Sequence, residues 1–326
     1  MPVSTVVLIL GYRAKSDLIA GVMKSICAAA ARLPPPYRVV YLDNYSRDGS
    51  VQWLADHHPD IDVLLAPYNL MYCKGVNTLV QYAAYRYSPA FYLLVDADNP
   101  AAPEAYRHLV DYMESHPRCG IAQPLVRSPS DPNRIYSCGH VYSETHWCRA
   151  RTELPADPAL LDDLPSCSIS STVIRASLFE RCGLLDPIFE SYYESSDLGF
   201  RARAQGFTCA CVPKALAYNE GTEAMTADSI HHRYYFNRNR LIFWRLHNER
   251  VFFIVAREAV NGLTKLSERL AESEFGLDPV SEGTRRGLAA GLHVAMWADL
   301  LPRPQVALHG FDKSNAVLLQ TRAVAT

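Results

Sequence analysis

Carboxylates stand in this chain where apolar runs give out. The run Phe91–Val95 empties into Asp96-Ala97-Asp98, and strand alternation puts the two acids on one side. Mg2+ and Mn2+ prefer oxygen ligands and are commonly held by one or two carboxylates together with substrate phosphates, so this pair can seat a divalent ion. The plainer alternative is a solvated loop whose acids, with Asn99 before Pro100, cap the next helix. Another apolar run ends in "YLDNYSRDGS". There Asp43 can accept hydrogen bonds from a base or ribose, and the residues after it supply turn and N-cap chemistry. The first run ends in "GYRAKSD", where Tyr12 can stack on a base or simply sit at an interface. In "YNLMYCKGVN", Lys74 opens a helix, an anion-favouring position. Farther on, "YYESSDLGFRARAQGF" sets Glu194 and Asp197 before an arginine-bearing helical stretch. Either acid can take a proton as a general base. Either can also merely face the helix dipole, and Asp197 can pair with Arg201 four residues on.

These residues need a scaffold that brings successive strand ends together. "STVVLIL", "YRVVYLD", "IDVLLA", "AFYLLVDAD" and "GIAQPLV" read as strands. Between them "DLIAGVMKSICAAAARL", "SVQWLADHH", "KGVNTLVQYAAYRY" and "AAPEAYRHLVDYMESH" read as helices. Repeated βα units predict an α/β fold with a mostly parallel, doubly wound sheet, whose ligands gather beyond the carboxyl ends of the strands. Tyr12, Asp43, Lys74, Asp96 and Asp98 all fall on that edge. After residue 127 the rhythm breaks into a loop region with short strands, and "SISSTVIRASLFERCG" then reads as a strand entering a helix. The tail is mostly helical. In it Val255, Ala259, Leu263, Leu266 and Leu270 recur at helical spacing, a stripe for core or subunit packing that could support a homodimer.

Composition narrows the partners. A net charge of −2 over 326 residues gives no basic field for nucleic acid, and the arginines of "HHRYYFNRNRLIFWR" are a local patch. No apolar run approaches the ~20 residues of a membrane-spanning helix. The opening "MPVSTVVLIL" has no basic leader or cleavage region, and the nine cysteines form no CxxC pair, so a cytoplasmic, reducing context is expected. Cys209 and Cys211 fall on one face of a strand as small apolar core residues. Neither GxGxxG nor GxxxxGK[ST] occurs, which removes a dinucleotide fold and a P-loop.

From Thr5 to Phe243 the chain resembles the inverting family-two glycosyltransferases of the A-type fold, in the branch that includes rhamnosyltransferase-like enzymes. "VVLILGYRA", "YLDNYSRDGS", "NLMYCKGVN", "LLVDADNP", "VIRASLFERCGLLDPIFESYYESSDLGFRARAQGF" and "YYFNRNRLIF" match that family's motifs in order. The resemblance implies an A-type glycosyltransferase fold with a helical C-terminal extension. Residues 1–230 would be the nucleotide-sugar-binding and catalytic domain, and 231–326 a helical segment. Tyr12, Asp43, Lys74 and Asp96 would bind the donor, a UDP-, dTDP- or GDP-linked sugar. Asp98 with Asp96 would hold Mn2+ or Mg2+ against its diphosphate. One sugar would pass with inversion to a small-molecule or lipid-linked acceptor, because the Gln-x-x-Arg-Trp segment and membrane helices of the processive synthases are missing.

Three positions depart from the family pattern. Met71 stands where glycine is usual. Ser195 stands where the catalytic base usually lies, and a hydroxyl cannot serve as that base. Glu194 or Asp197 then takes the proton, or the acceptor needs little help, or the chain binds a nucleotide sugar without turning it over. Asn219 replaces a metal-ligating histidine, with His231 and His232 nearby in sequence. A nucleotidyltransferase ranks lower, since the loop after the first strand has a single glycine.

Overall fold

Apolar, largely β-branched runs form the strands, and their alternation sends side chains to two separate cores. The computed structural model of the chain describes residues 3–13, 16–219, 229–273, 276–297, 307–309 and 311–320. Its first part alternates as the periodicity predicts: β1 (Thr5–Gly11), α1 (Ser16–Ala30), β2 (Tyr37–Asp43), α2 (Ser50–His57), β3 (Asp62–Leu65), α3 (Met71–Tyr87), β4 (Phe91–Asp96), α4 (Ala105–Ser115) and β5 (Cys119–Arg127). From β1, Val6, Leu8 and Leu10 enter one core with Cys73, Val76 and Val80 of α3. Val7 and Ile9 enter the other, with Ile19 and Met23 of α1 and Tyr106 and Leu109 of α4. A sheet covered by helices on both faces is the expected home of parallel strands.

The second half follows as β6 (Ile135–Ser137), β7 (His140–Tyr142), β8 (Cys148–Ala150), β9 (Thr172–Arg175), α5 (Ala176–Cys182), α6 (Glu194–Ala204), β10 (Thr208–Tyr218), α7 (Ile230–His247), α8 (Glu249–Glu272), α9 (Pro279–Trp297) and β11 (Val317–Gln320). The main sheet runs β10-β5-β9-β4-β1-β2-β3-β11, with β6 on β5. Pairs β1/β2, β1/β4, β2/β3 and β5/β10 are parallel, while β9 runs antiparallel between β4 and β5 and β11 antiparallel on β3. The sheet is therefore mixed, with a parallel centre. Residues after 230, expected to be helical, also supply the edge strand β11. Cys209 and Cys211 lie in one core beside the sheet, as their spacing predicts.

Register fixes the functional edge. Gly11 pairs with Asp43 and Leu10 with Asp96, so β1, β2 and β4 end level with one another. Gly11 is required there: a Cβ would stand 1.8 Å from the Tyr41 hydroxyl oxygen.

In the tail, α7 is the central helix. Gly283, Gly287 and Gly291 of α9 lie against the backbone of Ile230, Tyr234 and Arg238 of α7. The constant offset shows that α9 runs parallel to α7. Ion pairs Arg240–Glu258 and Arg245–Glu249 progress in opposite directions, so α8 runs antiparallel. Of the stripe predicted on α8, Val255 and Ala259 are buried and Leu263 packs on the core, but Leu270 is exposed.

Candidate active site

At the ends of β1, β2 and β4 the backbone turns sharply and is pinned by short polar side chains. Asp43 is buried, and both its oxygens accept from the Ser46 amide, at 3.1 and 3.3 Å. The Ser46 hydroxyl accepts from the Arg13 amide at 2.9 Å, tying the β2 exit to the β1 exit. Tyr12 is exposed on that edge with the Arg13 guanidinium over its ring. Lys74 is exposed in the first turn of α3.

The start of α3 is held by Asn44, which sequence reasoning did not single out. Its Oδ1 accepts from the Leu70 amide at 2.8 Å, and its Nδ2 donates to the Asn69 side chain and to the Met71 carbonyl. Met71 needs this help, because its φ is 60°. A left-handed backbone suits glycine and costs other residues about 1–2 kcal/mol. The glycine usual at that place therefore has a conformational reason, and here two asparagine side chains hold methionine in the same shape; the Met71 amide donates to Asn69 at 2.8 Å.

Asp96 and Asp98 come off β4 into a turn, Asp96 half-buried and Asp98 exposed. The Tyr72 and Ser170 hydroxyls donate to the Asp96 carboxylate, yet its pKa stands above the usual carboxylate range. Burial is the larger cause and the neighbouring Asp98 carboxylate the second. The next residue, Asn99, accepts from the Asn219 amide and donates to the Ser170 hydroxyl. The carboxyl end of β10 is thus joined to the turn after β4. Asn99, Ser170 and Asn219 line a cavity of about 120 Å3 with Tyr136, His140 and Ser168. Among the described residues no three carboxylate, imidazole or thiol groups gather as a metal-ligand set. His232 packs on Tyr192 and Phe236, and His231 on Tyr235.

The segment before α6 carries three left-handed residues within four positions. Glu190, Tyr192 and Tyr193 have φ of 59°, 66° and 68°. Buried Asn239 of α7 clamps this stretch, its Nδ2 donating to the carbonyls of Phe189, Ser191 and Tyr192 at 2.7, 2.6 and 2.8 Å. Arg238 adds a hydrogen bond to the Ile188 carbonyl, and the Cys73 amide donates to the Glu190 carbonyl, bolting the segment to α3. The strained turn delivers Glu194 to the head of α6.

The two acids of α6 meet opposite surroundings. Glu194 is 7% exposed. The amides of Glu194 and Ser195 donate to its carboxylate, but Oε2 is buried with no hydrogen-bond partner among the described residues. Burial pushes its pKa up to about 7, helped by the charge of Asp96 and opposed by His140. His140 is itself lowered to about 4 by burial and bonds through Nδ1 to the Ser166 hydroxyl. Asp197 is fully enclosed, and both its oxygens are engaged: Oδ2 by the Arg201 fork at 2.7 and 2.8 Å, Oδ1 by His247 Nε2 at 2.8 Å. Burial alone would raise its pKa, but these partners outweigh it and hold the group below the usual range. Arg201 also donates to the carbonyls of Cys182 and Leu184, so Asp197 organises the junction of α5 and α6.

Comparison with known proteins agrees with this construction. The profile of the Glycosyl transferase family 2 matches residues 7–183, more than half of the chain. The chain belongs to that family. It is 25% identical over 239 residues to the N-acetylglucosaminyl-diphospho-decaprenol L-rhamnosyltransferase of Mycobacterium tuberculosis, covering 64% of this chain and 77% of the relative. Among solved structures, GalNAc-T7 with UDP, GalNAc and Mn2+ superposes with a TM-score of 0.62 at 12% identity, over 93% of this chain. This chain spans only 58% of that protein. The mannosyltransferase PcManGT from Pyrobaculum calidifontis, in complex with GDP-Man and Mn2+, gives a TM-score of 0.54 at 15% identity, over 91% of this chain and 90% of its own. The fold is the A-type glycosyltransferase fold.

Tyr12, Asp43, Asp96 and Asp98 thus stand at the ends of β1, β2 and β4, Lys74 lies in the first turn of α3, and the charge of Asp96 reaches Glu194. Asp197 is instead held in ion pairs with Arg201 and His247. Tyr72, His140 and Asn239 were not singled out in sequence. Of these, Tyr72 sat in the matched segment "NLMYCKGVN" and Asn239 in the Arg-Asn stretch of "YYFNRNRLIF", while His140 lay in no matched motif.

Proposed function

We propose that this protein is an inverting, nucleotide-sugar-dependent glycosyltransferase that moves a single sugar to an acceptor hydroxyl, with Glu194 as general base. The observation that carries it is the Glu194 carboxylate: buried, with Oε2 unpartnered among the described residues, and on the same edge as Asp96. A carboxylate raised to about 7 is matched to taking a proton near neutral pH. Asp197, saturated by Arg201 and His247, serves as an anchor for α6.

On the donor side, Tyr12 and Asp43 would receive the base and ribose, and Lys74 would lie near the diphosphate. Two crowded carboxylates, each disfavouring the other's ionisation, fit a divalent cation, and Asp96 and Asp98 would hold Mn2+ or Mg2+ with the donor's phosphates completing its shell. When bound, such an ion neutralises charge on the nucleoside-diphosphate leaving group. The side-chain amide of Asn219, tied to Asn99 beside the pair, stands where the family usually has a third ligand. Glu194 withdraws the acceptor proton as the acceptor oxygen attacks, and one displacement inverts the anomeric centre. The donor would be a UDP-, dTDP- or GDP-linked sugar and the acceptor small or lipid-linked; the names of similar proteins support a UDP- or GDP-linked donor and a lipid-linked acceptor.

Calorimetric titration of UDP, dTDP and GDP, with Mn2+ and then with EDTA, tests the donor site on wild type and Asp98→Asn. One nucleotide should bind only with metal and be lost in the variant; no binding under any condition overturns the proposal. Glu194→Gln should then keep nucleotide affinity and lose about 10²–10⁴ in turnover. The second reading, a nucleotide-sugar-binding protein without turnover, is favoured by Ser195 at the usual base position. It expects donor binding and no transfer to any acceptor.

A further inference from the structure

The cavity beside the acid pair has one wall to which the chemistry above gives no task. His140, half-buried, lines it from the first position of β7. Its register partner on β8, Ala150, lines the cavity as well, so the two-stranded β7–β8 pair forms that wall. The rest of the lining includes Ser168 and Ser170, from the segment before β9, and Asn99 and Asn219, from the turns after β4 and β10. The Ser170 hydroxyl also bonds to Asp96. The cavity therefore adjoins the acid that would face the donor's diphosphate.

One residue holds His140 twice. The His140 amide donates to the Ser166 carbonyl at 3.1 Å, and the ring's Nδ1 shares a 2.9 Å hydrogen bond with the Ser166 hydroxyl. Ser166 is fully buried, and its hydroxyl also bonds to that of Tyr142 at 3.1 Å. It lies directly against α6, where a Cβ on Gly199 would stand 2.5 Å from the Ser166 Cβ. Glycine there lets Ser166 approach the helix that begins at Glu194, so the imidazole and the proposed base share one support. The bond through Nδ1 is the ring's one hydrogen bond among the described residues, which leaves Nε2 for a ligand. Burial lowers the ring's pKa to about 4, so it is uncharged near neutral pH. A neutral imidazole has one donor and one acceptor nitrogen. Whichever role Nδ1 takes toward Ser166, Nε2 takes the opposite one, and a sugar hydroxyl can answer either.

We infer that His140 is a specificity-determining residue that hydrogen-bonds through Nε2 to a hydroxyl of the sugar being transferred, with Ser166 setting the orientation of its ring. The inference rests on the reading of the chain as a nucleotide-sugar glycosyltransferase. Short hydroxyls and amides around an imidazole, with the Tyr136 ring also in the lining, suit the mixed hydroxyl and C–H surface of a sugar. The sugar of such a donor is joined directly to the diphosphate, which would lie beside Asp96, next to this wall. A site built to bond a hydroxyl discriminates against a ligand lacking it far more strongly than an apolar wall does.

The test is calorimetric titration, with Mn2+ present, of three matched pairs: UDP with UDP-glucose, dTDP with dTDP-L-rhamnose, and GDP with GDP-mannose. For the pair whose nucleotide binds, His140→Ala should keep the nucleoside diphosphate within about twofold of wild type and weaken the nucleotide sugar about tenfold. Ser166→Ala, which frees the ring from its anchor, should weaken the nucleotide sugar selectively by about threefold. His140→Gln, which still offers a side-chain hydrogen bond, should recover part of the loss. Circular dichroism checks folding, and if His140→Ala folds poorly, His140→Gln carries the test with a selective loss of about threefold. Equal losses for nucleotide and nucleotide sugar, or no loss for either, overturn the inference and leave the donor site standing. Failure of wild type to bind any of these ligands overturns the donor-site reading and this inference with it.

Discussion

Replacing Glu194 by glutamine should make the folded protein more stable in alkaline solution while removing its activity. The carboxyl rises from 4.5 to about 7 on folding because its ionised form is buried, with the charge of Asp96 adding to the cost. A tenfold change in proton affinity is worth about 1.4 kcal/mol, so the ionised group costs about 3 kcal/mol once the pH exceeds the folded value. The sign is the reverse of that for a paired acid. The folded state binds the proton more tightly than the unfolded chain, so stability falls as pH rises from about 4.5 to about 7 and stays low above. Glutamine is neutral throughout and carries no such slope. Any cost of leaving its amide short of a partner is pH-independent, so the informative quantity is the difference between wild type and variant as a function of pH. Urea denaturation at about pH 5 and about pH 8 should show the variant gaining about 3 kcal/mol on wild type between the two. A difference that stays flat over that interval would refute the burial argument, and with it the reason for choosing Glu194 as the base.

Other substitutions probe the frame around it. Asp197→Asn should destabilise by about 3 kcal/mol, because Arg201 keeps its burial and loses its charge partner. Since Asp197 is held below the usual range, wild type should also lose stability as pH falls below the unfolded carboxylate value, and the variant should lack that acid limb in urea titrations. Asn239→Ala removes the donor shared by three carbonyls of the strained segment, so a loss of about 3 kcal/mol is expected, with kcat reduced and nucleotide affinity kept. Equal losses in both kinetic and binding readouts would instead indicate general unfolding. Met71→Gly should raise stability by about 1 kcal/mol, since the backbone there is already left-handed, and a lower urea midpoint would contradict that account.

The donor edge was legible in sequence because it depends on strand ends. A parallel βα repeat brings the ends of β1, β2 and β4 together once the strands are found: Asp43 is level with Gly11, Asp96 with Leu10, and Tyr12 follows Gly11. The mixed sheet was less legible. β9 is four residues long and enters antiparallel from an irregular region, and β11 returns from a tail whose other elements are helical. Neither has a local period that reveals its partner. Tyr72 and His140 reach the site from an apolar helix and a three-residue strand, positions where an aromatic or a lone histidine ordinarily reads as packing. Met71 was visible as a departure from the family, but only its φ of 60° explains the departure.

Glu194 and Asp197 show why composition cannot assign roles within a site. Three residues apart at a helix start, they share a face and feel the same dipole, so local sequence treats them alike. Their tertiary partners separate them. Arg201 could be anticipated from its spacing, but His247 arrives from the end of α7, fifty residues later, and closes the second oxygen of Asp197. Asn239, from the same helix, holds the left-handed turn that carries Glu194 into its pocket without a comparable cation. One helix thus lowers the pKa of one acid and shapes the turn that buries the other. Two carboxylates whose surroundings drive their proton affinities apart have different tasks: the lowered one is spent on structure, and the raised one remains for the proton.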